Sequence, residues 1–253
     1  LGPRINAGGR VGKSSHGANL LLSNNPKDVF KIASELNEFN KERQLLEKNV
    51  FDKILSEVNK YLIDPVIIIS GKNWHEGVIG IVAARLKDKF NKPVILISLD
   101  GNIGKASARS IVGFDIGSVI IAATQEKILI KGGGHKMAGG FSINIENINI
   151  FKEFVFKKFK LINENLKSEK PLFFDSIIAP SAVNLEFYNK VELLSPFGSG
   201  NPEPKFIIEN VKTINGKIVG EKHVKSVLIG EDGSTIKSIA FNATENDLGG
   251  YLL

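Results

Sequence analysis

Cysteine is absent, methionine and tryptophan occur once each, and four histidines are spread over 253 residues. Without cysteine there is no disulfide and no thiolate metal site, which fits a reducing compartment. No apolar run approaches the roughly 18 residues that cross a bilayer. The chain opens Leu1-Gly2-Pro3-Arg4, with no initiator methionine and no charged-then-apolar leader, and it ends on Tyr251-Leu252-Leu253; both ends read as cuts through a longer protein. Carboxylate clusters are missing too. Metal-assisted phosphodiester hydrolysis needs such a cluster, often with histidine. His16, His75, His135 and His223 have no neighbouring Asp pair, and neither Asp-x-Asp nor Asp-His-His occurs. No Ser-His-Asp spacing stands out. The residues thus hold no complete catalytic centre and no metal site.

What is present suits a folded, mildly basic chain. Its length corresponds to one large domain or two ordinary ones. The 42% hydrophobic fraction supplies a core, and the formal charge of +6 favours a polyanionic partner. The most informative stretch is Gly132-Gly133-Gly134-His135-Lys136-Met137-Ala138-Gly139-Gly140-Phe141. Glycines in such number serve positive φ or a close approach to the backbone. Read as a loop, the run offers bare amide N–H groups as a nest for an anion, with His135 and Lys136 beside it; the plainer alternative is a tight turn with a stray histidine.

Along the chain, residues 1–24 form a Gly-rich, basic lead-in. Asn25-Pro26-Lys27-Asp28 starts a helix, with an N-cap, a proline in the first turn and an acid behind it. Apolar residues at Val29, Ile32, Leu36, Phe39, Leu46, Val50, Ile54 and Val58 continue it to about Tyr61. That rod is about 50 Å long, at 1.5 Å per residue, and reads as a connector or a coiled-coil arm. The β-branched run Val66 to Ser70, a helix over 77–90 and a second apolar run over 93–97 make a right-handed parallel βαβ unit. Strands are expected at 103–110 and 139–145, and helices at 115–125 and 150–159. Residues 161–170 are linker-like. A short helix near 184–193 and β runs at 205–209, 211–219, 224–230 and 235–241 follow. With turns at Asn215-Gly216 and Asp232-Gly233, they form a meander of the small-barrel kind.

Three further clusters bear on chemistry. Ala7-Gly8-Gly9-Arg10-Val11-Gly12-Lys13-Ser14 approximates a phosphate loop, but residues 1–6 cannot supply the strand that must precede one. Trp74-His75-Glu76-Gly77 lies at the carboxyl end of a parallel strand, where ligands bind in open sheets. Trp74 is either a cap on the core or a flat platform for a base or sugar. In Lys105-Ala106-Ser107-Ala108-Arg109-Ser110, strand alternation sends Ser107 and Arg109 to one face and the alanines to the other. A hydroxyl and a guanidinium side by side suit a phosphate; an exposed strand with a solvated arginine is the plain alternative.

These motifs, in this order, resemble the RecJ family of single-strand-specific DNA exonucleases within the DHH phosphoesterase superfamily. Gly2-Pro3-Arg4-Ile5-Asn6-Ala7-Gly8-Gly9-Arg10 resembles the segment closing the DHH domain, and residues 25–64 resemble its long connecting helix. The Trp74–Ala83, Ser107–Ser110 and Gly132–Phe141 segments resemble the DHH-associated domain, here over 65–162. Pro196-Phe197-Gly198-Ser199-Gly200-Asn201-Pro202-Glu203-Pro204 resembles the entry to an oligonucleotide-binding (OB) barrel over 171–253.

The implied fold is α/β (α+β). A mixed-sheet DHH-associated domain follows the connecting helix and precedes a partial OB-fold barrel. The implied activity is 5′→3′ degradation of single-stranded DNA with Mn2+ or Mg2+, held by residues upstream of this chain, in DNA repair and recombination. By resemblance, Ser107 and Arg109 would hold a 5′-phosphate, and Gly132, Gly133, Gly134 and His135 would meet phosphates near the scissile bond. Trp74, His75, Asn6 and Arg10 would line the cleft. Implied partners are single-stranded DNA with a 5′-phosphate, single-strand-binding protein and a helicase, in the bacterial cytoplasm and without a membrane. Two other readings stay open: an inactive single-strand-binding module, and a DHH-family phosphoesterase acting on short oligonucleotides.

Overall fold

A computed structural model describes residues 1–162, 172–245 and 248–253. The expected linker 161–170 lies almost wholly outside the described residues. The chain divides into two compact units, Leu1–Glu169 and Lys170–Leu253.

In the first unit the lead-in is helical: α1 spans Gly2–Val11 and α2 spans His16–Leu22. Three glycines make α1 a poor helix in isolation. Packing explains why it forms, since Ala7 and Gly8 are buried and a Cβ at Gly8 would lie 3.0 Å from Leu36 Cδ2. The phosphate-loop pattern therefore sits on a helix and its C-terminal turn. The rod α3, Pro26–Glu57, starts where its caps indicate, with the Asn25 side chain accepting from the Lys27 N–H at 3.0 Å. Its first half carries α2 through a 2.6 Å contact between His16 Nε2 and Glu35 Oε2. Farther along, the buried Glu47 carboxylate accepts from Arg43 and Arg85 at 2.6 and 3.0 Å, tying the rod to the helix that spans Glu76–Phe90.

Strand β1 (Ile67–Lys72), helix α4 (Glu76–Phe90) and β2 (Val94–Asp100) form the expected parallel unit. β3 (Ile103–Arg109) returns antiparallel to β2. Then come α5 (Ile116–Gln125), β4 (Lys131–His135), β5 (Ala138–Asn144) and α6 (Ile148–Ile162). The sheet order is β1-β2-β3-β5-β4, so β4 is an edge strand. One face packs Ile67, Ile69, Val94 and Leu96 against α3 and α4. The other packs Ile95, Ile97, Ala106, Ala108 and Ile143 against residues of α5 and α6, Ile116, Ile120, Phe151 and Val155 among them. Strands buried on both faces are why the β1 and β2 segments read as unbroken apolar runs.

The glycine run is not a loop. Gly132, Gly133 and Gly134 lie in β4 and Gly139 and Gly140 in β5, paired as a hairpin, and none has a positive φ. Close approach, the other use of glycine, is what operates. A Cβ at Gly132 would lie 2.7 Å from Ile120 Cγ2, and one at Gly117 on α5 would lie 2.9 Å from the carbonyl carbon of Gly134. The glycines thus let α5 lie directly on the hairpin.

The second unit pairs β6 (Ser176–Ile177) with β7 (Phe206–Ile207), and α7 spans Leu185–Glu192 between them. β8 (Lys212–Val219), β9 (His223–Ile229) and β10 (Thr235–Ala240) form a meander, and α8 spans Leu248–Leu252. Asp232-Gly233 turns between β9 and β10, with Gly233 at φ +75°. Asn215-Gly216 does not turn the chain. Asn215 has φ 53° and the pair forms a bulge inside β8, because residues on both sides keep pairing with β9; the turn falls at Gly220–Lys222 instead.

Candidate nucleic-acid interface

Register across the three outer strands arranges three rows on one face of the first unit's sheet. Arg109 pairs with Ala138 and that with His135; Ser107 with Gly140 and Gly133; Lys105 with Ser142 and Lys131. Cationic or ionisable side chains flank a middle row almost devoid of side chains. Rows lie about 6.7 Å apart and the outer strands about 9.6 Å. Helix α4 covers Ser107 and Arg109 from above, while the floor beyond is open. A cleft of about 620 Å³ is lined there by Glu76, Ile79, Lys105, Ser107, Gly133 and Gly140, among others.

Arg109 is the most constrained cation of the face. Its Nη1 donates to Ser107 Oγ at 3.0 Å and to the Ala108 carbonyl at 2.8 Å. Burial holds its pKa below the ordinary arginine value, and the charge of Arg10 adds to the effect. Arg10 projects from α1 and donates to the Gly77 carbonyl at 3.1 Å, which places it at the N-terminal end of α4. Asn6 is exposed one helical turn earlier on α1. Lys105 is partly neutralised by Glu76 at 2.7 Å, and that hydrogen bond raises its pKa. His135 is exposed at the end of the edge strand.

Four expected residues lie off this face. Trp74 is no platform: it is 7% exposed and packs in the core beside Gly71, where an added Cβ would overlap the indole. Its backbone carbonyl accepts from Ser98 Oγ at 2.6 Å. His75 is exposed, but its Nδ1 accepts from the Gly77 N–H at 3.1 Å, so it caps α4. Gly132 and Gly134 face α5, unlike Gly133. Sequence reasoning passed over Lys105, Lys131, Ser142 and Gly140 as members of the surface. Alternation from Ser107 could have placed Lys105; the others required the strand register.

Chemically, the face offers a guanidinium, hydroxyls, ammonium groups and an imidazole around bare backbone, which is equipment for holding anions. Among the described residues there is no group of three or more His, Asp or Glu that could hold a metal ion. The Mn2+ or Mg2+ implied by resemblance therefore finds no ligand set in them.

Residues 47–161 match the model of the DHHA1 domain and residues 174–250 that of the RecJ OB domain. The chain is thus a DHHA1 domain followed by an OB domain. The single-stranded-DNA-specific exonuclease RecJ of Bacillus subtilis is 30% identical over 97% of this chain and 31% of its own length. The RecJ of Escherichia coli is 29% identical over 96% of this chain and 43% of its own. Among solved structures, RecJ in complex with Mn2+ from Thermus thermophilus superposes with a TM-score of 0.75 at 27% identity, covering 93% of this chain and 34% of that one. A second, exonuclease RecJ bound to manganese, gives 0.55 at 30% identity over 62% of this chain and 39% of that one. The chain belongs to the RecJ family, and it spans less than half the length of these relatives.

Proposed function

We propose that the chain is the substrate-holding part of a RecJ-like 5′→3′ exonuclease on single-stranded DNA. The observation that carries this is the three-row face: an open Ser107–Gly140–Gly133 row between Arg109–His135 on one side and Lys105–Lys131 on the other. Ser107 and Arg109 hold the terminal 5′-phosphate. Burial and Arg10 both work against the Arg109 charge, so a phosphate dianion beside the two arginines relieves a strain already built into the site. His135 sits two strands away, where it meets a phosphate near the scissile bond, and Gly133 and Gly140 let the backbone approach. Arg10, with Asn6 a turn behind it, closes the cleft from α1. His75 acts through α4, as its cap, and Trp74 supports the loop from the core. Residues 1–24 and 25–64 serve as the closing segment and connecting helix of a DHH lobe, with the substrate domain over 65–162 and the barrel over 171–253. The working enzyme uses Mn2+ or Mg2+, and single-strand-binding protein and a helicase act with it in the bacterial cytoplasm. No helix among the described residues is long and apolar enough to cross a membrane.

Two measurements test the proposal. Titration of a fluorescent single strand at two salt concentrations should give an affinity that falls steeply with salt, because each neutralised phosphate releases counterions; a salt-independent affinity contradicts a phosphate-led interface. Incubation of the chain with Mn2+ and a labelled single strand should release no nucleotides. His135 and Arg109 can orient a phosphate but cannot generate the metal-bound nucleophile that such hydrolysis uses. Release of mononucleotides would place a nuclease centre within these residues and refute the assigned role.

A further inference from the structure

Glycine inside a helix is disfavoured by about 1 kcal/mol relative to alanine, yet α4 keeps Gly80 in its buried stretch. Its backbone does not ask for glycine, since Gly80 has no positive φ. The demand comes from β3. A Cβ at position 80 would lie 2.9 Å from Ser107 Oγ, 2.9 Å from Arg109 Nη2 and 3.6 Å from Arg109 Cζ. Real Cβ atoms do not tolerate the first two distances, so one partner must move. Both atoms are ends of side chains, free to rotate or swing without disturbing the sheet. Gly77, one turn earlier, is different: a Cβ there would overlap the backbone carbonyl of Arg10. Gly77 seats a helix, whereas Gly80 seats two functional groups. Arg109 is fastened on its other edge, through Nη1, to Ser107 Oγ and the Ala108 carbonyl. The bare surface of α4 is the remaining wall of that seat.

We propose that Gly80 is a positioning residue: its missing side chain holds the Arg109 guanidinium and the Ser107 hydroxyl together as one anion grip and so sets the preference for a phosphorylated strand end. The inference rests on the assignment of Arg109 and Ser107 to the 5′-phosphate. A methyl at position 80 separates the pair while leaving the fold, and the general attraction of the basic face for single strands, in place.

The test is a double-mutant cycle on the whole chain. Wild type, Gly80→Ala, Arg109→Ala and the double variant are titrated with oligothymidylates of one length, 5′-phosphorylated or 5′-hydroxyl, and each protein is melted alongside. The expected result is a wild-type preference for the phosphorylated strand that falls about tenfold in Gly80→Ala. The melting temperature should be equal or higher, and the ratio should not fall further when Gly80→Ala is added to Arg109→Ala. If wild type shows no preference, the grip itself is wrongly assigned. If wild type shows it and Gly80→Ala keeps it, or the two losses add independently, the grip stands and the role of Gly80 is overturned. Should Gly80→Ala melt lower, the cycle is read on stability: truncating Arg109 and Ser107 must restore the melting temperature, and failure to do so overturns the proposal equally.

Discussion

The β4–β5 hairpin has two faces, and its glycines answer to different demands on each. Toward α5, Gly132, Gly134 and Gly139 stand where a Cβ would meet atoms already in the molecule; at Gly139 the contact would be Ile120 Cδ1 at 2.5 Å. Toward the open cleft, a Cβ at Gly133 would meet nothing within 4 Å, and one at Gly140 only the Ala106 carbonyl oxygen at 3.3 Å. Internal packing accounts for the first set completely and for Gly133 not at all. A glycine that folding does not require, in a strand where it weakens the structure, points to a molecule that approaches from outside. On the proposed function, one five-residue strand serves architecture and recognition by alternation.

The largest expected effect is on the packed face. Gly134→Ala drives a methyl into the Ala138 carbonyl and Gly139 Cα, backbone atoms of the paired strand that cannot swing aside. Overpacking that forces backbone movement should lower stability by about 3 kcal/mol, seen as a fall in the denaturant midpoint at unchanged slope. An unaffected midpoint would show that the two strands of the hairpin are not held as closely as described, and the contrast between the faces would collapse.

The next effect is on binding. On the proposed assignment, Arg109→Ala removes a charge-assisted contact to phosphate, worth about 1.5–3 kcal/mol. The ratio of affinities for 5′-phosphorylated and 5′-hydroxyl strands should therefore fall roughly ten- to a hundredfold. Removing a half-buried cation that faces another cation should leave stability unchanged or improved. A variant that keeps the wild-type ratio would move the phosphate elsewhere on the face.

What could be read from the sequence follows from where its signals came from. Unbroken apolar runs located β1 and β2, side-chain periodicity located the rod, and alternation alone put Ser107 and Arg109 on one face, because each signal is carried by the residue itself. The glycine run carries no side chains and hence no periodicity. Its strand character comes from pairing with Phe141 and Ser142 across the hairpin, which no local pattern displays. Trp74 failed for a related reason: one aromatic beside a strand end can turn inward or outward, and Gly71, three residues away, makes the pocket that takes it in. Helix α1 contradicts its own composition, since Leu36 and the packing of Ala7 and Gly8 supply what the glycines withhold. The bulge at Asn215-Gly216 likewise satisfies every local rule for a turn and is overridden by pairing on both sides.

The smallest effect on the fold is the most informative about function. Gly133→Ala adds a methyl to open space, and replacing glycine in a strand restricts the unfolded chain, so stability should stay level or rise by up to about 0.5 kcal/mol. The same methyl stands in the middle row, between Arg109–His135 and Lys105–Lys131, where a sugar-phosphate backbone must come close to reach both. Affinity for single strands should fall about tenfold while the salt slope persists, since the cations are untouched. The comparison to make is with Gly134→Ala, one residue away, whose losses are in folding. If Gly133→Ala binds single strands as wild type does, the bare row is not where the strand lies, and the cationic rows on either side would have to act separately.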